Sequence, residues 1–320
     1  MFFSQYFFGY EKKITTEMQK MGAEVYLYDE MSVKRPFERA IVKASSKVFS
    51  RQTERYYGDI LSEVMNISFD YILFIDSEMP THKVLKQYRN AFPNSKFCLH
   101  MWDSVENLKG VQNKFSFFDY ISTFDRKDAD DYKLVFRPLF FSEEFRAREK
   151  RKEYKYDLSF IGTIHSDRYR IIREILKSTH SYFFYPYLQS HFIYFFYKAV
   201  KKEFRKARIG DFKFEKLDSK TIAEVVEESK AVLDIQHPKQ TGLTMRTLEM
   251  LGMKIKLITT NSDIVHYDFY NKNNICVIDR KNPKVPNEFY LTEYKEIPQK
   301  IYEYYSIRQW INDVLGVQNG

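Results

Sequence analysis

The chain has 320 residues, a length typical of two domains of about 150 residues each rather than one. Hydrophobic residues make up 44% and charged residues 29%, which excludes an intrinsically disordered chain. No apolar run approaches the roughly 20 residues needed to cross a bilayer, and the N-terminal segment lacks the features of a secretory signal. With two cysteines only, neither a disulfide framework nor a cysteine-based zinc site is expected, so we predict a cytosolic protein.

The charge balance is basic, with a formal net charge of +8, and the aromatic content reaches 18%. A basic balance favours anionic partners such as nucleic acid, anionic lipid headgroups or phosphate-bearing substrates. A basic protein that is merely soluble is the plain alternative. The distribution of charge along the chain therefore has to decide between them.

The N-terminal half alternates short apolar segments with helical patterns. The predicted strands begin at Phe2 and continue at 24–28, 71–75, 96–100 and 120–124, and the predicted helices cover 11–21 and 36–66. Segment 71–75 is short, continuous and apolar, which is typical of a buried parallel strand. Strands that alternate with helices indicate an α/β sheet with right-handed crossovers.

A highly charged run, 146–155, shows no apolar periodicity and is predicted to link two domains. The second half repeats the α/β architecture. Its predicted strands are 158–161, 232–235, 256–259 and 275–278, and its predicted helices are 166–178, 219–229, 244–252 and an amphipathic 297–315. Two such units place a cleft at the carboxyl ends of both sheets, where open α/β sheets bind ligands.

Segment 237–252 is the most informative part of the chain. It follows a predicted strand with a polar loop, and a helix is predicted to begin near Thr244. The unpaired backbone N–H groups of the first helical turn form an anion site. Arg246 and Glu249 share one helix face, where a carboxylate can bind ribose hydroxyls and a guanidinium suits a phosphate. A capped helix with an exposed ion pair is the alternative.

This segment resembles the C-terminal domain of GT-B fold glycosyltransferases, especially the bacterial capsule and lipopolysaccharide enzymes and the CgeB-like group. In that family a Gly-rich loop leads into a helix bearing Arg-x-x-Glu, then a Gly and a strand ending in Thr. The matching residues here are Gly242, Arg246, Glu249, Gly252 and Thr259-Thr260-Asn261. The resemblance implies that Glu249 binds the donor ribose. The first acidic residue of the family's Glu-x7-Glu motif is absent, and Gln240 is spaced one residue too far from Glu249.

The resemblance also implies the architecture. It predicts an α/β protein of the GT-B type, with two Rossmann-like domains facing each other across a cleft. Residues 1–150 would bind the acceptor, 151–300 the nucleotide sugar, and 301–320 would form a helix that crosses back to the first domain.

Segment 157–170 reads as a strand, a glycine turn and a helix. Gly162 permits close backbone approach. By resemblance this turn faces the donor diphosphate, although a lone His165 would more often be a surface histidine. The predicted donor-binding residues are Gly162, Thr163, His165, Arg168, His237, Gln240, Gly242, Leu243, Thr244, Arg246 and Glu249.

Segment 100–107 follows a predicted strand of the first domain. An aspartate at a strand end can act as general base toward an acceptor hydroxyl, so Asp103 is the preferred catalytic residue and Glu106 the reserve. A helix N-cap formed by Asp103 or Ser104 is the alternative. By resemblance this half holds the acceptor, and the predicted acceptor-binding residues are Gly9, Tyr10, Asp76, Glu78 and Trp102.

Segment 181–208 is rich in aromatic residues and then in lysine and arginine. Aromatic rings favour the headgroup zone and basic residues favour anionic lipid, which indicates a patch that docks peripherally on a membrane. A core helix with one basic solvated face would show the same pattern. Docking would place the protein at the inner face of the cytoplasmic membrane, near a lipid-linked acceptor.

Other chemistries lack support in the sequence. No Walker-type loop indicates phosphoryl transfer from ATP, and no zinc-protease motif indicates a metal site. By resemblance we expect no metal and no cofactor, with the nucleotide sugar as co-substrate. The predicted function is transfer of a sugar from a nucleotide-sugar donor to a cell-envelope glycan of the capsule, lipopolysaccharide or O-antigen type. The alternatives are a nucleotide-sugar epimerase of the same fold and a non-enzymatic nucleic-acid-binding protein; we expect no nucleic-acid partner.

Overall fold

The computed structural model describes residues 1–6, 9–33, 46–108, 110–148, 153–238 and 242–317. Residue contacts divide the chain into two units. The first unit combines Met1–Leu139 with the segment from Ile307 onward, and the second unit is Phe140–Ser306. Among the helices of these described ranges, none has both the length and the apolar character that crossing a bilayer requires.

The first unit contains a parallel sheet with the strand order β2-β1-β3-β4-β5-β6. Its strands are β1 Phe2–Ser4, β2 Leu27–Asp29, β3 Tyr71–Ile75, β4 Lys96–Met101, β5 Tyr120–Thr123 and β6 Val135–Phe136. Nearly every residue of β3 and β4 is buried, as expected for central parallel strands covered on both faces. All strands run in one direction, so their carboxyl ends share one edge of the sheet.

Helices α1 Tyr10–Lys20, α2 Ser50–Val64, α3 His82–Ala91 and α4 Arg126–Tyr132 follow strands of this sheet. The core beneath them is aromatic. The Phe3 ring stacks on Phe74 with centroids 4.5 Å apart, and the Tyr57 hydroxyl donates to the Glu30 carbonyl at 2.9 Å. Because each buried hydroxyl has a backbone acceptor, tyrosine can serve as a core residue here. The predicted helix 36–66 is confirmed only over α2, and 34–45 lie outside the described residues.

The second unit contains a parallel sheet with the strand order β11-β10-β9-β7-β8. Its strands are β7 Tyr156–Thr163, β8 Tyr182–Tyr187, β9 Ser229–Asp234, β10 Lys256–Thr259 and β11 Ile275–Val277. Its helices are α5 Arg168–Leu176, α6 His191–Val200, α7 Ser219–Glu227, α8 Met245–Met253, α9 Asn287–Leu291 and α10 Gln299–Tyr304. As in the first unit, the loops after the strands meet at one edge.

Gly252 of the family-like motif has a packing role. A Cβ at this position would lie 2.5 Å from Phe141 Cγ and 2.5 Å from the Phe145 carbonyl oxygen. Only glycine lets α8 approach the 140–145 segment this closely. Gly252 therefore places the helix that carries Arg246 and Glu249.

The prediction that 297–315 is helical is confirmed over most of its length, but two helices form instead of one. The chain forms α10 and then a separate helix, α11 Ile307–Val314. The break occurs because Ser306 forms a parallel bridge with Phe141, whose N–H donates to the Tyr305 carbonyl at 2.9 Å. This bridge takes the backbone out of the helical conformation between the two helices.

Helix α11 packs into the first unit. The Trp310 side chain is fully buried, with ring centroids 5.0 Å from His100 and 5.8 Å from Trp102. Arg137, also buried, forms an ion pair with Asp313 at 2.7 Å. The first unit is therefore completed by a segment more than 160 residues distant along the chain from Leu139.

Candidate active site

Four loops meet at the carboxyl edge of the second sheet, those that follow β7, β9, β10 and β11. Arg280, after β11, links three of them. Its guanidinium donates to both carboxylate oxygens of Asp167, at 3.0–3.1 Å, and to the Gln236 carbonyl at 2.7 Å. The Gln236 and Thr260 side chains also bond to one another. The edge is thus a connected polar network rather than a set of independent loops.

Arg168 lies within this network, at the start of α5. Its guanidinium donates to the Thr163 carbonyl at 2.8 Å and to the Ile235 carbonyl, so it spans the ends of β7 and β9. Burial lowers the pKa of Arg168 to about 10, and Arg280 and Arg246 act in the same direction. The carboxylates of Asp234 and Asp167 oppose this shift, and the guanidinium remains charged at neutral pH.

His165 and His237 face each other across the same edge, with ring centroids 5.6 Å apart. Burial lowers the pKa of His165 to about 3, and the charges of Arg168 and His237 add to the effect. His165 is therefore neutral at pH 7 and can donate one hydrogen bond without competing for a proton. Beside it, Ser166 has a left-handed backbone with φ 45°, which is costly for a residue with a side chain.

Helix α8 is tied to the end of β9. Thr244 is its N-cap and accepts from the Thr247 N–H at 3.2 Å, and both threonine hydroxyls donate to one Asp234 oxygen. The Arg246–Glu249 pair of the sequence prediction is present, with 2.9 Å between Nη1 and Oε2. The two side chains are 17% and 4% exposed, so the ion pair is buried rather than solvated. Burial strengthens the pair electrostatically and fixes its geometry.

Most predicted donor-binding residues lie along this edge. Gly162 and Thr163 end β7, and the Gly242 carbonyl accepts from Asn261 Nδ2 at 3.4 Å. Leu243 is buried beneath the loop. Gln240 lies outside the described residues.

Three residues of the edge were not predicted from the sequence. Arg280 follows β11 in a loop without a motif, Asp234 ends β9, and Lys201 was read only as part of the basic patch. The Lys201 ammonium donates to the Ser166 carbonyl at 2.8 Å. For Arg280 the one available signal was its position shortly after the predicted strand 275–278, since carboxyl ends of parallel strands converge.

The carboxyl edge of the first sheet has the opposite character. Asp76, directly after β3, accepts from the Trp102 N–H at 2.6 Å and the Asp103 N–H at 2.9 Å, both with Oδ1. Asp76 and Ser77 have left-handed backbones, with φ 67° and 53°. Two consecutive non-glycine residues in this region store backbone strain, which is characteristic of functional sites.

Further carboxylates surround Asp76. Glu30 is fully buried, its Oε1 accepts from the Met79 N–H at 2.5 Å, and burial raises its pKa to about 8. Burial likewise raises the pKa of Asp76 to about 7, with Asp103 and Glu78 adding to the shift against the two backbone N–H groups. Asp76 can therefore accept a proton near neutral pH.

Lys114 is the cation of this cluster. Its ammonium donates to the carbonyls of Ser77 and Glu78 at 2.7 and 2.9 Å, and burial lowers its pKa to about 8. These two hydrogen bonds hold the backbone of the strained turn after β3 in place. Glu78 in turn accepts from Gln5 Nε2 at 3.5 Å.

The predicted catalytic residues Asp103 and Glu106 are both exposed. Asp103 Oδ1 accepts from the Ser104 N–H at 2.8 Å and from Asn107 Nδ2 at 2.7 Å, which fixes the side chain within a local turn. The predicted acceptor residues Tyr10 and Trp102 lie together, with ring centroids 5.9 Å apart. Gly9 caps α1 in a left-handed conformation.

A separate cavity of about 700 Å³ lies at the amino edge of the second sheet, beside Lys256. Two ion pairs lie in its lining: Lys254 with Glu296 at 2.6 Å and Arg148 with Glu227 at 3.6 Å. The cavity lies away from the loops that follow the strands, where open α/β sheets bind ligands, so the carboxyl edge remains the candidate site. Within the described ranges, no group of three or more His, Cys, Asp or Glu side chains is placed to hold a metal ion.

Comparison with known proteins extends this picture at the level of fold. No protein-family model matches the chain, and neither does any curated protein sequence. Solved structures do match. HepE from Anabaena, determined with UDP and glucose, is similar with a TM-score of 0.61 at 10% identity, over 99% of each chain. Sucrose-phosphate synthase from Thermosynechococcus elongatus gives 0.57 at 8% identity, over 98% of this chain and 94% of the other.

The lipopolysaccharide outer core galactosyltransferase WaaB in its apo form gives a TM-score of 0.50 at 11% identity, over 98% of each chain. Together with the two parallel sheets, these similarities show the GT-B fold with two Rossmann-like domains, as the sequence predicted. At identities this low they show the fold alone.

Proposed function

We propose that the protein is a glycosyltransferase that moves a sugar from a nucleotide-diphosphate sugar to a hydroxyl of a cell-envelope glycan. The observation that carries the proposal is the cationic edge of the second sheet, where Arg168, Arg280 and Arg246 crowd together in a buried setting. The fold supports it, since HepE, WaaB and sucrose-phosphate synthase share it and HepE was solved with UDP and glucose.

The cationic edge would bind the diphosphate of the donor. As the bond between sugar and phosphate breaks, negative charge develops on the leaving diphosphate. Arginines already held in place by Asp167 and by backbone carbonyls stabilise that charge without reorganising. Neutral His165 would add a hydrogen bond. On this proposal the chemistry needs no metal ion, because side chains supply the positive charge.

Glu249 is proposed to bind the donor ribose, with Arg246 sharing its carboxylate. The role comes from the family resemblance, and the burial of the ion pair fits a rigid site better than a surface one. The first unit would bind the acceptor, with Tyr10 and Trp102 offering an aromatic surface to a sugar ring.

We propose Asp76 as the general base, in preference to Asp103. Asp76 has the raised pKa, the strained backbone and the fixed orientation that a general base requires, whereas Asp103 is exposed and its carboxylate is engaged in a local turn. The acceptor hydroxyl would give its proton to the Asp76 carboxylate while its oxygen bonds to the anomeric carbon. The bond from that carbon to the phosphate oxygen breaks, and its electron pair leaves on the nucleoside diphosphate. Attack of this kind inverts the anomeric configuration.

Calorimetric titration with UDP, GDP, dTDP and CMP, each alone and as a sugar adduct, tests the donor site. We expect one nucleoside diphosphate to bind in the micromolar range, and CMP to bind more weakly because it lacks the second phosphate. Absence of binding by every diphosphate would refute the proposal.

The rival functions give different results in two companion assays. Conversion of the sugar donor without any acceptor would indicate an epimerase of the same fold. Salt-dependent binding of single-stranded oligonucleotides, with no diphosphate binding, would indicate a nucleic-acid-binding protein.

A further inference from the structure

Helix α6 of the second unit carries apolar side chains on two faces. One face is in the core: Tyr194 is buried, and its hydroxyl donates to the Ala207 carbonyl at 3.0 Å. The other face is in solvent. Its members Phe192, Phe195, Phe196 and Val200 are 77%, 60%, 54% and 59% exposed. A surface helix ordinarily presents charged or polar residues there.

The exposed residues form one stripe. Positions 192, 195, 196 and 200 follow the three- and four-residue spacing of a single helix face. The helix is also held firmly: the Ser190 hydroxyl caps it by accepting from the Ile193 N–H, and Phe204 beyond its end stacks on Phe212 with ring planes 9° apart. The stripe is therefore a fixed feature of the unit and cannot be buried by a small rotation of the helix.

Basic side chains follow the stripe along the chain. From position 191 to 208 there are six lysines and arginines and one acidic residue, a net charge of +5. Four of the basic residues are exposed beyond the helix end: Lys202, Arg205, Lys206 and Arg208. Within the described part of the chain, none of these four side chains forms an ion pair with a carboxylate. Their charge is thus available to an anionic partner.

We propose that the exposed α6 stripe and the four following basic residues form a docking surface for an anionic lipid bilayer. A convex helix face of phenylalanine and valine, without hydrogen-bonding groups, suits the boundary between headgroups and acyl chains. Lysines and arginines beside it are attracted to acidic headgroups, each worth about a fivefold gain in binding. The combination gives the two signals that stable peripheral binding requires.

The surface is connected to the donor site. Lys201, between the helix and the basic residues, donates to the carbonyl of Ser166, in the loop that carries His165. The Lys201 ammonium also lies 4.1 Å from the centre of the Tyr197 ring. Docking through α6 would therefore hold the β7–α5 loop close to the membrane surface. The inference does not depend on transferase activity, because lipid binding and nucleotide binding are measured separately.

The test is co-sedimentation of the full chain with phosphatidylcholine vesicles, with and without 30% phosphatidylglycerol. Two variants divide the surface, one replacing Phe192, Phe195 and Phe196 by Ser and the other replacing Lys202, Arg205, Lys206 and Arg208 by Ser. A matched control replaces four exposed lysines elsewhere, K86S/K272S/K284S/K300S, and removes the same charge. Thermal unfolding and nucleotide binding of each variant verify that the fold is intact.

We expect the wild type and the control to bind anionic vesicles and to bind neutral vesicles weakly. The partition coefficient of each surface variant onto anionic vesicles should fall roughly a hundredfold or more. Equal losses in the control and the charge variant would overturn the proposal, because net charge alone would then explain binding. The proposal is also overturned if the wild type does not bind vesicles and the phenylalanine variant abolishes a dimer seen in sedimentation velocity. Binding of oligonucleotides in preference to vesicles would overturn it as well.

Discussion

The carboxyl edges of the two sheets differ in the ionisable groups that they bury. At the carboxyl edge of the first sheet Glu30, Asp76 and Glu78 approach one another, whereas at the same edge of the second sheet Arg168 and Arg280 do. Both sheets are parallel and both edges are formed by loops after strands. The strands are therefore a common support, and the loop residues decide what each edge can bind.

The same physics acts at both edges with opposite sign. Burial raises the pKa of Asp76 to about 7 and lowers that of His165 to about 3. Neighbours of like charge add to both shifts. A proton at the first edge or a diphosphate at the second would relieve the repulsion between these like charges.

The largest expected effect is on catalysis, and it distinguishes the role of the first edge from that of the second. Asp76→Asn should lower kcat/KM for glycosyl transfer by about 10²–10⁴-fold, because the acceptor hydroxyl loses its base. Nucleotide affinity, measured by calorimetry, should stay unchanged. Asp103→Asn is the matched control, and a greater loss in that variant would return the role of base to Asp103.

The next effect concerns the cationic edge. Arg168→Ala and Arg280→Ala should each weaken binding of the nucleoside diphosphate by about 10–100-fold, since each removes a charge-assisted hydrogen bond. Arg173→Ala, an exposed position on the same helix α5, is the control. Equal affinities for all three variants would show that the diphosphate does not lie at this edge.

A smaller effect distinguishes ribose from phosphate recognition within the second edge. Glu249→Ala should weaken binding of the whole nucleotide about tenfold, through the loss of the bonds to the ribose. Inorganic diphosphate, titrated under the same conditions, should bind as before. A parallel loss for inorganic diphosphate would indicate that Glu249 acts only by positioning Arg246.

The smallest effect is on stability. In the unfolded chain Glu30 has its ordinary pKa, near 4.5, whereas in the folded state its pKa is about 8. Between pH 4.5 and about 8 the folded state therefore holds a proton on Glu30 that the unfolded chain has lost. Stability should therefore fall as pH rises through this window, by at most about 1.4 kcal/mol per pH unit. Glu30→Gln should flatten the dependence in urea unfolding at pH 5, 6.5 and 8. Glu106→Gln removes an exposed carboxylate and should leave the pH dependence of stability unchanged. If stability depends on pH with the same slope in both variants, Glu30 does not titrate in this way.

Sequence patterns predicted the fold well for a physical reason. Buried parallel strands are continuous apolar runs, so β3 and β10 were located with correct bounds. The Arg246–Glu249 pair was also predicted, since helical spacing places residues three apart on one face. The buried state of that pair was not predicted, because burial depends on how α8 packs on other segments.

The remaining site residues depend on tertiary structure. Arg280 follows β11 without any motif, and its role appears only when its contacts with Asp167 and Gln236 are seen. Asp76 was assigned to acceptor binding, yet its strained backbone and its bonds to the 102–103 amides come from the packing of β3 beside β4. The position of each residue after a predicted strand was the only local signal, and that position does not specify these contacts.

The placement of α11 has a consequence for how the chain is made. Trp310 fills a slot against His100 and Trp102, so residues 1–139 alone leave that slot empty. During synthesis the N-terminal sheet emerges first, but we expect its core to be completed only after α11 has left the ribosome. The second unit, continuous in the chain, has every residue it needs before then. The half that is translated first is thus the half that matures last, and nascent chains stalled before position 307 should be protease-sensitive in their N-terminal part.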